Sequence, residues 1–368
     1  MRAMDLFSDT DLTLQSLQAV IRVAEQFKEK YKRAPVFMEV CGSHTMAFAR
    51  SGIKKRLNDH VELISGPGCP VCVTDQKSID AMITLGESPN RILCTFGDMM
   101  RVPGSRHSLM TAKAAGNDIR VVYSPLDSVK IAEENPDKEI IFLGIGFETT
   151  IPILTLAIRE AEKKGIMNYS VWMTTKLVEP AIRALLDAGE VKLDGFLLPG
   201  HVSVVMGEEK YGFLPKEYGM SGVISGFEPV QLLSGMYKLM ALLLEGKPGI
   251  INDYQSVVTK KGNRFAQEMM DRYLTPFGEE WRGMGVIPDS GLVLRDRFSL
   301  YDAKKKFQIS MDQPRKTKCR CGEIIRGLIK PEECVLFNKG CTPLNPIGPC
   351  MVSTEGTCSA HYQYMRED

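Results

Sequence analysis

The chain has 368 residues, and 46 Lys+Arg against 45 Asp+Glu leave a formal net charge of +1. With 44% hydrophobic and 25% charged residues it has the balance of a folded globular protein, not a disordered one, and at roughly 150 residues per domain the length predicts two or three domains. The near-zero charge argues against a general nucleic-acid binder or a basic membrane-surface protein. Met1 to Asp11 has an acidic start and no apolar h-region, so no secretory signal is expected. The most apolar helical stretch, Met236 to Leu244, is interrupted by Lys238 and is too short to span a bilayer. The expectation is therefore a cytoplasmic protein. There thiols stay reduced, and ten cysteines point to metal or redox chemistry rather than a disulfide framework.

In chain order, Leu12 to Tyr31 reads as an amphipathic helix with Leu14, Leu17, Val20, Ile21, Ala24 and Phe27 near helical spacing. Short apolar runs then alternate with helical patterns: Val36–Val40, Val61–Ile64, Arg91–Phe96, Ile119–Tyr123, Ile140–Ile145, Ser170–Thr174, Gly195–Leu198 and Gly222–Ser225. Such spacing indicates βαβ units and mainly parallel sheets, which carry their sites at the carboxyl ends of the strands. Eight strands are too many for one small domain. The expected division is two similar α/β domains, 1–120 and 121–246, with the strand-end residues lining a central crevice. Helices are expected over Pro229–Leu244 and Arg264–Leu274. Beyond Trp281 periodicity fades, and 247–368 is expected to be a small loop-rich C-terminal domain that needs a metal to hold its shape.

The cysteines fall in two groups, Cys41, Cys69, Cys72 and Cys94 near the start and Cys319, Cys321, Cys334, Cys341, Cys350 and Cys358 near the end. Cys69-Pro70-Val71-Cys72 follows a predicted strand and precedes a helix expected to start near Thr74. Its spacing lets the sulfurs bond to each other, and helix N-terminal amides lower a thiol pKa from about 8.5 into roughly the 3.5–7.5 range. Thiolate is the form that attacks disulfides and binds soft metals. Gly66 and Gly68 allow a tight turn and close approach of another group. Cys41 holds the equivalent position one βα unit earlier. If its strand neighbours that of the pair, three sulfurs meet in one pocket, able to hold a low-spin iron or pass a disulfide among themselves. His44, three residues on, could serve a bound ligand as hydrogen-bond donor or acid/base, or simply cap its helix. Cys94 reads as core.

Other strand ends carry weaker signals. Asp98 could bind a basic group or orient a loop. Gly144-Ile145-Gly146 resembles a dinucleotide loop, but Thr149 stands where the third glycine belongs, so such a site is rejected. Glu148 and Thr149 are expected to line the cleft instead, and His201 is either a site residue or a structural histidine. The chain carries no P-loop, nucleophile elbow or His-Glu-x-x-His.

Cys319, Cys334, Cys341 and Cys358 are separated by 14, 6 and 16 residues, with Cys321 and Cys350 as further candidates. Irregular spacing suits an iron–sulfur cluster, whereas structural zinc favours paired knuckles. Zinc or reduced structural thiols remain alternatives.

Together, Cys41-Gly-Ser-His-Thr45, Gly66-Pro-Gly-Cys-Pro-Val-Cys72, Gly146-Phe-Glu-Thr-Thr150, Pro199-Gly-His-Val-Ser203 and the tail from Cys319 to Cys358 resemble the HypD family of NiFe-hydrogenase maturation proteins over nearly the whole chain. The resemblance implies a 4Fe-4S cluster on Cys319, Cys334, Cys341 and Cys358, Cys41 as an iron ligand, and Cys69 and Cys72 as a redox-active pair. It implies a scaffold that holds iron with a HypC-type small chaperone while cyanide, delivered by a HypE-type partner, and CO are attached to give Fe(CN)2CO. A monomer forming transient complexes is expected. The competing readings are a stand-alone iron–sulfur thiol–disulfide reductase, similar in chemistry to ferredoxin–thioredoxin reductase, and a zinc-stabilised interaction module.

Overall fold

The computed structural model describes residues 10–309, 314–315 and 317–366. The first nine residues, which make up most of the stretch read for a secretory signal, lie outside the described residues.

The chain runs through α1 (Thr10–Tyr31), β1 (Val36–Glu39), α2 (Gly42–Arg50), β2 (Glu62–Ser65), α3 (Pro70–Val73), α4 (Gln76–Leu85), β3 (Arg91–Thr95), β4 (Ile119–Val121), β5 (Glu139–Gly146), α5 (Ile151–Lys164) and β6 (Tyr169–Thr175). It continues with α6 (Val178–Ala188), β7 (Gly195–Pro199), α7 (Gly200–Met206), β8 (Ser221–Ser225), α8 (Pro229–Glu245), β9 (Ile250–Asn252), α9 (Arg264–Tyr273), β10 (Leu274–Trp281), β11 (Gly285–Leu294) and α10 (Thr357–Tyr364). All eight expected strands are present, and the fold is α/β.

The strands form two parallel sheets, ordered β2-β1-β7-β8-β9 and β4-β3-β5-β6, and an antiparallel β10-β11 hairpin. Sheet membership does not divide near residue 120. β1 and β2 pair with strands after residue 190, and β3 and β4 pair with β5 and β6. One sheet is thus interrupted in sequence by the other. The reason lies in pairing: β1 is registered on both sides, Phe37 opposite Leu63 of β2 and opposite Gly195 of β7, so its neighbour comes from far along the chain.

Alternation along each strand sends side chains to opposite faces of the sheet. In β1, Phe37 joins α1 and α8 residues Leu17, Val20, Leu232 and Met236 in one core. The next residue, Met38, joins a second core on the other face. That second core also takes Leu93, Ile141 and Leu143 from the four-stranded sheet, and Cys69, Cys72, Cys321, Cys334, Cys341, Cys350 and Cys358. A single apolar interior therefore runs from one sheet to the other and on to the tail cysteines. Cys94, fully buried in β3, belongs to a third core under α5, as a core residue should.

The hairpin was not legible in the sequence. β10 follows α9 without an intervening turn residue, and Pro276, Gly278, Glu279 and Glu280 break the alternation that marks a strand. Its turn lies on α3: the Arg282 amide donates to Val73 O at 2.8 Å and its Nε to Thr74 O at 3.0 Å.

Candidate functional site

The β1 and β2 carboxyl ends lie side by side, so the loops that follow them touch. Gly42 N–H donates to Gly68 O at 3.0 Å. A Cβ on Gly68 would stand 2.4 Å from Cys41 N and 2.5 Å from its Cα, so only glycine allows this approach. A Cβ on Gly42 would lie 3.4 Å from the Cys69 Cβ. Cys41 and the Cys69–Cys72 pair are thus brought together, as the neighbouring strands require.

The pair is disulfide-bonded. The expected helix starts within two residues of Thr74, at Gln76, but the pair is not at its N-terminus. Cys69 is the N-cap of the one-turn helix α3, with Pro70 in its first turn, and Asp75 caps the separate α4. Both sulfurs are inside the protein, Cys69 5% and Cys72 1% exposed.

Cys41 occupies the N-cap position of α2 and is buried. Burial pushes its thiol up to about 11, opposed by the amides of His44 and Ser43 and by the Ser43 hydroxyl. It lines a cavity of about 240 Å³ with Ser43, Gly68, Pro70, Phe147, Thr149, Thr150, His201 and Glu355 among the walls. Thr149 faces it as expected. His201 is also in the wall, stacked on Phe227 with ring centroids 3.9 Å apart, and burial holds its imidazole below the usual histidine range.

Three expected site residues stand elsewhere. His44 is fully buried behind the cavity wall, its Nε2 3.2 Å from Ser225 O and 3.0 Å from Gly226 O, and burial drives its pKa down to about 4. A neutral ring donating through Nε2 fits both carbonyls, so His44 pins the loop after β8. Glu148 is also buried away from the lining: Oε1 accepts the Val178 amide at 2.9 Å, Oε2 has no hydrogen-bond partner among the described residues, and burial pushes the carboxyl up to about 7. Asp98 is exposed on the turn Gly97–Arg101 and accepts the Ser353 hydroxyl at 3.3 Å. It is thus tied to the tail rather than set in the cavity wall.

Glu355 was missed. It enters the cavity from the tail, its Oε1 accepting the Ser43 hydroxyl at 2.5 Å. The only sequence signal was a charged residue between two cysteines.

In the tail, Cys319, Cys334, Cys341 and Cys358 meet around one small enclosed space, together with Cys321. Ile324, Leu336, Phe337 and Met351 complete an apolar shell. Cys319 and Cys321 sulfurs are 3.2 Å apart. Cys350 lies beside them; hydrogen bonds with Cys321 and Cys358 pull it down to about 5, while hydrogen bonds with Cys321 and Cys350, and burial, push Cys358 up. No three His, Cys, Asp or Glu side chains among the described residues are arranged to hold a single metal ion. A cluster makes a different demand, since each thiolate binds its own iron. Soft sulfur donors from several turns inside an apolar shell fit that demand. α3 packs on the Pro349–Met351 turn, so the disulfide lies between the two sites.

These features define an α/β protein with two cysteine centres, one beside a cleft cavity and one in a folded tail, joined by a buried disulfide. Among the described residues no helix is long and apolar enough to cross a membrane. A model of the family described as HypD, hydrogenase formation hypA family, matches residues 15–365. The hydrogenase maturation factor HypD of Rhodobacter capsulatus is 43% identical over 364 residues, 97% of this chain and 97% of that protein. HypD of Cupriavidus necator is 42% identical over 376 residues, covering 100% and 98%, and HypD of Escherichia coli K12 38% identical over 373, covering 100% and 99%. The chain belongs to the HypD family, and its role lies in hydrogenase maturation.

Proposed function

We propose that this protein is the scaffold on which the Fe(CN)2CO unit of NiFe hydrogenase is assembled, working in the cytoplasm with a HypC-type chaperone and a HypE-type cyanide donor. The observation that carries the reading is the contact of the Cys41 loop with the Cys69–Cys72 loop across Gly68, beside a cavity large enough for a small iron complex.

Within that cavity Cys41 is the iron ligand for the cargo. Its thiol is protonated when nothing is bound, so an incoming cation must displace the proton. The Ser43 and His44 amides then face the sulfur at the α2 N-terminus and favour the thiolate. Thiolate donors suit the electron-rich iron that cyanide and CO require. Glu355 and His201 are polar groups at the cavity wall that orient what enters, and the disulfide side contributes Gly68 and Pro70.

Cys69 and Cys72 form the redox pair: two electrons and two protons convert their disulfide to two thiols. At about 1.4 kcal/mol per 30 mV, modest changes around the pair decide its state. Cys319, Cys334, Cys341 and Cys358 would hold a 4Fe-4S cluster, with Cys321 adjacent. Such a cluster supplies electrons one at a time. A stand-alone reductase would need a sulfur open to protein substrates, and the depth of both sulfurs favours internal use instead.

Replacing Cys69 or Cys72 by Ala is expected to abolish hydrogenase maturation in cells; normal hydrogenase activity in both variants would refute the reading.

A further inference from the structure

The two cysteine centres share one turn of chain. It leaves the Pro349–Met351 turn at Cys350 and enters α10 at Cys358, and in between it reaches the Cys41 cavity. Ser353, 2% exposed, holds its middle: the hydroxyl donates to Asp98 and accepts the Glu355 amide at 3.2 Å. Glu355 in turn accepts the Ser43 hydroxyl next to Cys41.

Neither end of the turn has slack. On the cavity side a Cβ at Gly42 would lie 2.6 Å from Glu355 Cβ and 2.7 Å from its carbonyl oxygen. On the cysteine side a Cβ at Gly356 would meet Cys350 O at 2.2 Å and its carbonyl carbon at 2.8 Å. Close-packed backbone transmits a displacement instead of absorbing it.

We propose that Ser353–Gly356 is a positioning device that carries the arrangement of the tail cysteines to the Cys41 cavity by holding Glu355 against Ser43. Asp98, Ser353 and Gly356 are its positioning residues, and Glu355 is the group they place. When the backbone between Cys350 and Cys358 moves, the Glu355 carboxylate leaves Ser43 and the cover over Cys41 loosens. The cysteine tail then prepares the cavity mechanically, in addition to any electrons it supplies. Only the link to cluster loading rests on the proposed function; the hold on Glu355 does not.

Peptide-resolved alkylation of the intact, disulfide-containing protein under anaerobic conditions tests this, with iodoacetamide as probe. Cys94, buried in a separate core, reports unfolding in the same sample. Ser353→Ala removes the hydroxyl's bonds to both Asp98 and the Glu355 amide and is expected to raise the Cys41 labelling rate by about 5- to 30-fold, the factor for one to two lost hydrogen bonds, with Cys94 still protected. Gly356→Ala should do the same; should it expose Cys94 as well, Ser353→Ala carries the test alone. Removing iron from the wild type with a chelator should raise Cys41 labelling to a similar rate and add little in Ser353→Ala. Unchanged Cys41 labelling in Ser353→Ala overturns the hold on Glu355, and a chelator effect absent from the wild type overturns the transmission. A preparation without cluster absorption near about 400 nm contradicts the cluster reading and with it the transmission, while the Ser353→Ala comparison still decides the hold on Glu355.

Discussion

Glu148 is the most sharply perturbed carboxyl near the cavity. It is 3% exposed, one oxygen accepts the Val178 amide, the other has no hydrogen-bond partner among the described residues, and burial raises its pKa to about 7 from an ordinary 4.5. A carboxyl whose folded value lies above its unfolded value stabilises the fold below about pH 4.5, and that contribution is lost as pH rises through about 7. Glu148→Gln keeps the acceptor for Val178 and removes the charge. The variant should match the wild type in urea unfolding near pH 4 and exceed it near pH 8, by on the order of 2–3 kcal/mol. Parallel stability curves across that range would contradict the assignment.

The thiols were legible in the sequence, and several of their partners were not. Cys41, Cys69 and Cys72 announce themselves by type, spacing and strand-end position. His44 reads as a site residue by the same logic, yet its ring turns inward to the carbonyls after β8. Which way a side chain leaves a short helix depends on the neighbouring strand, and that neighbour, β8, lies about half the chain away. Glu355 was invisible for a related reason: the tail folds back over α2, and no local pattern encodes that return.

Among the elements, the β1–α2 and β2–α3 connections matter most, because their contact is what brings three sulfurs together. Gly68→Ala would drive a Cβ into the Cys41 backbone, which has no flexible end to move aside. Overpacking of this kind typically costs about 1–3 kcal/mol. The expected outcome is a folded but less stable protein in which hydrogenase maturation is lost while the tail still binds iron. Full maturation by this variant, measured as hydrogenase activity in cells, would mean that the loop contact is dispensable.

The strands themselves were readable because parallel strands buried on both faces appear as short continuous apolar runs. β9, Ile250–Asn252, was not, because only Ile250 and Ile251 mark it before the polar Asn252 and Asp253. The hairpin escaped because its charge is used internally. Glu279, 5% exposed, sits 3.3 Å from the fully buried Lys176 at the end of β6, and Lys176 also donates to Glu280 O at 2.9 Å. A glutamate that is paired inside the protein reads, in sequence, like one that faces water.

That ion pair acts on the whole molecule, since it ties the four-stranded sheet to the hairpin whose turn rests on α3. Removing one partner of a buried pair strands the other, at about 3–5 kcal/mol. Glu279→Gln should therefore lower the unfolding midpoint far more than Glu280→Gln, whose side chain makes a half-exposed contact with Lys77. Equal midpoints for the two variants would show that the pair does not join the hairpin to the sheet.

The strands of the two sheets do not follow a division of the chain into two consecutive halves. A sequence shows strands but not their partners, and here β1 is completed by β7, with the other sheet formed in between. One consequence is that the cavity draws its walls from both sheets and the tail: Cys41 from the end of β1, Thr149 and Thr150 beyond β5, His201 after β7, and Glu355 near the C-terminus. Such a site forms only when the entire chain has folded.

On the proposed function, the iron under construction sits on Cys41 inside this cavity. Infrared spectra of the protein purified anaerobically with a HypC-type chaperone are the direct test. Cyanide and carbonyl stretches in the wild type that vanish in Cys41→Ser, with the tail iron retained, are the predicted result. The same bands persisting in the variant would contradict it.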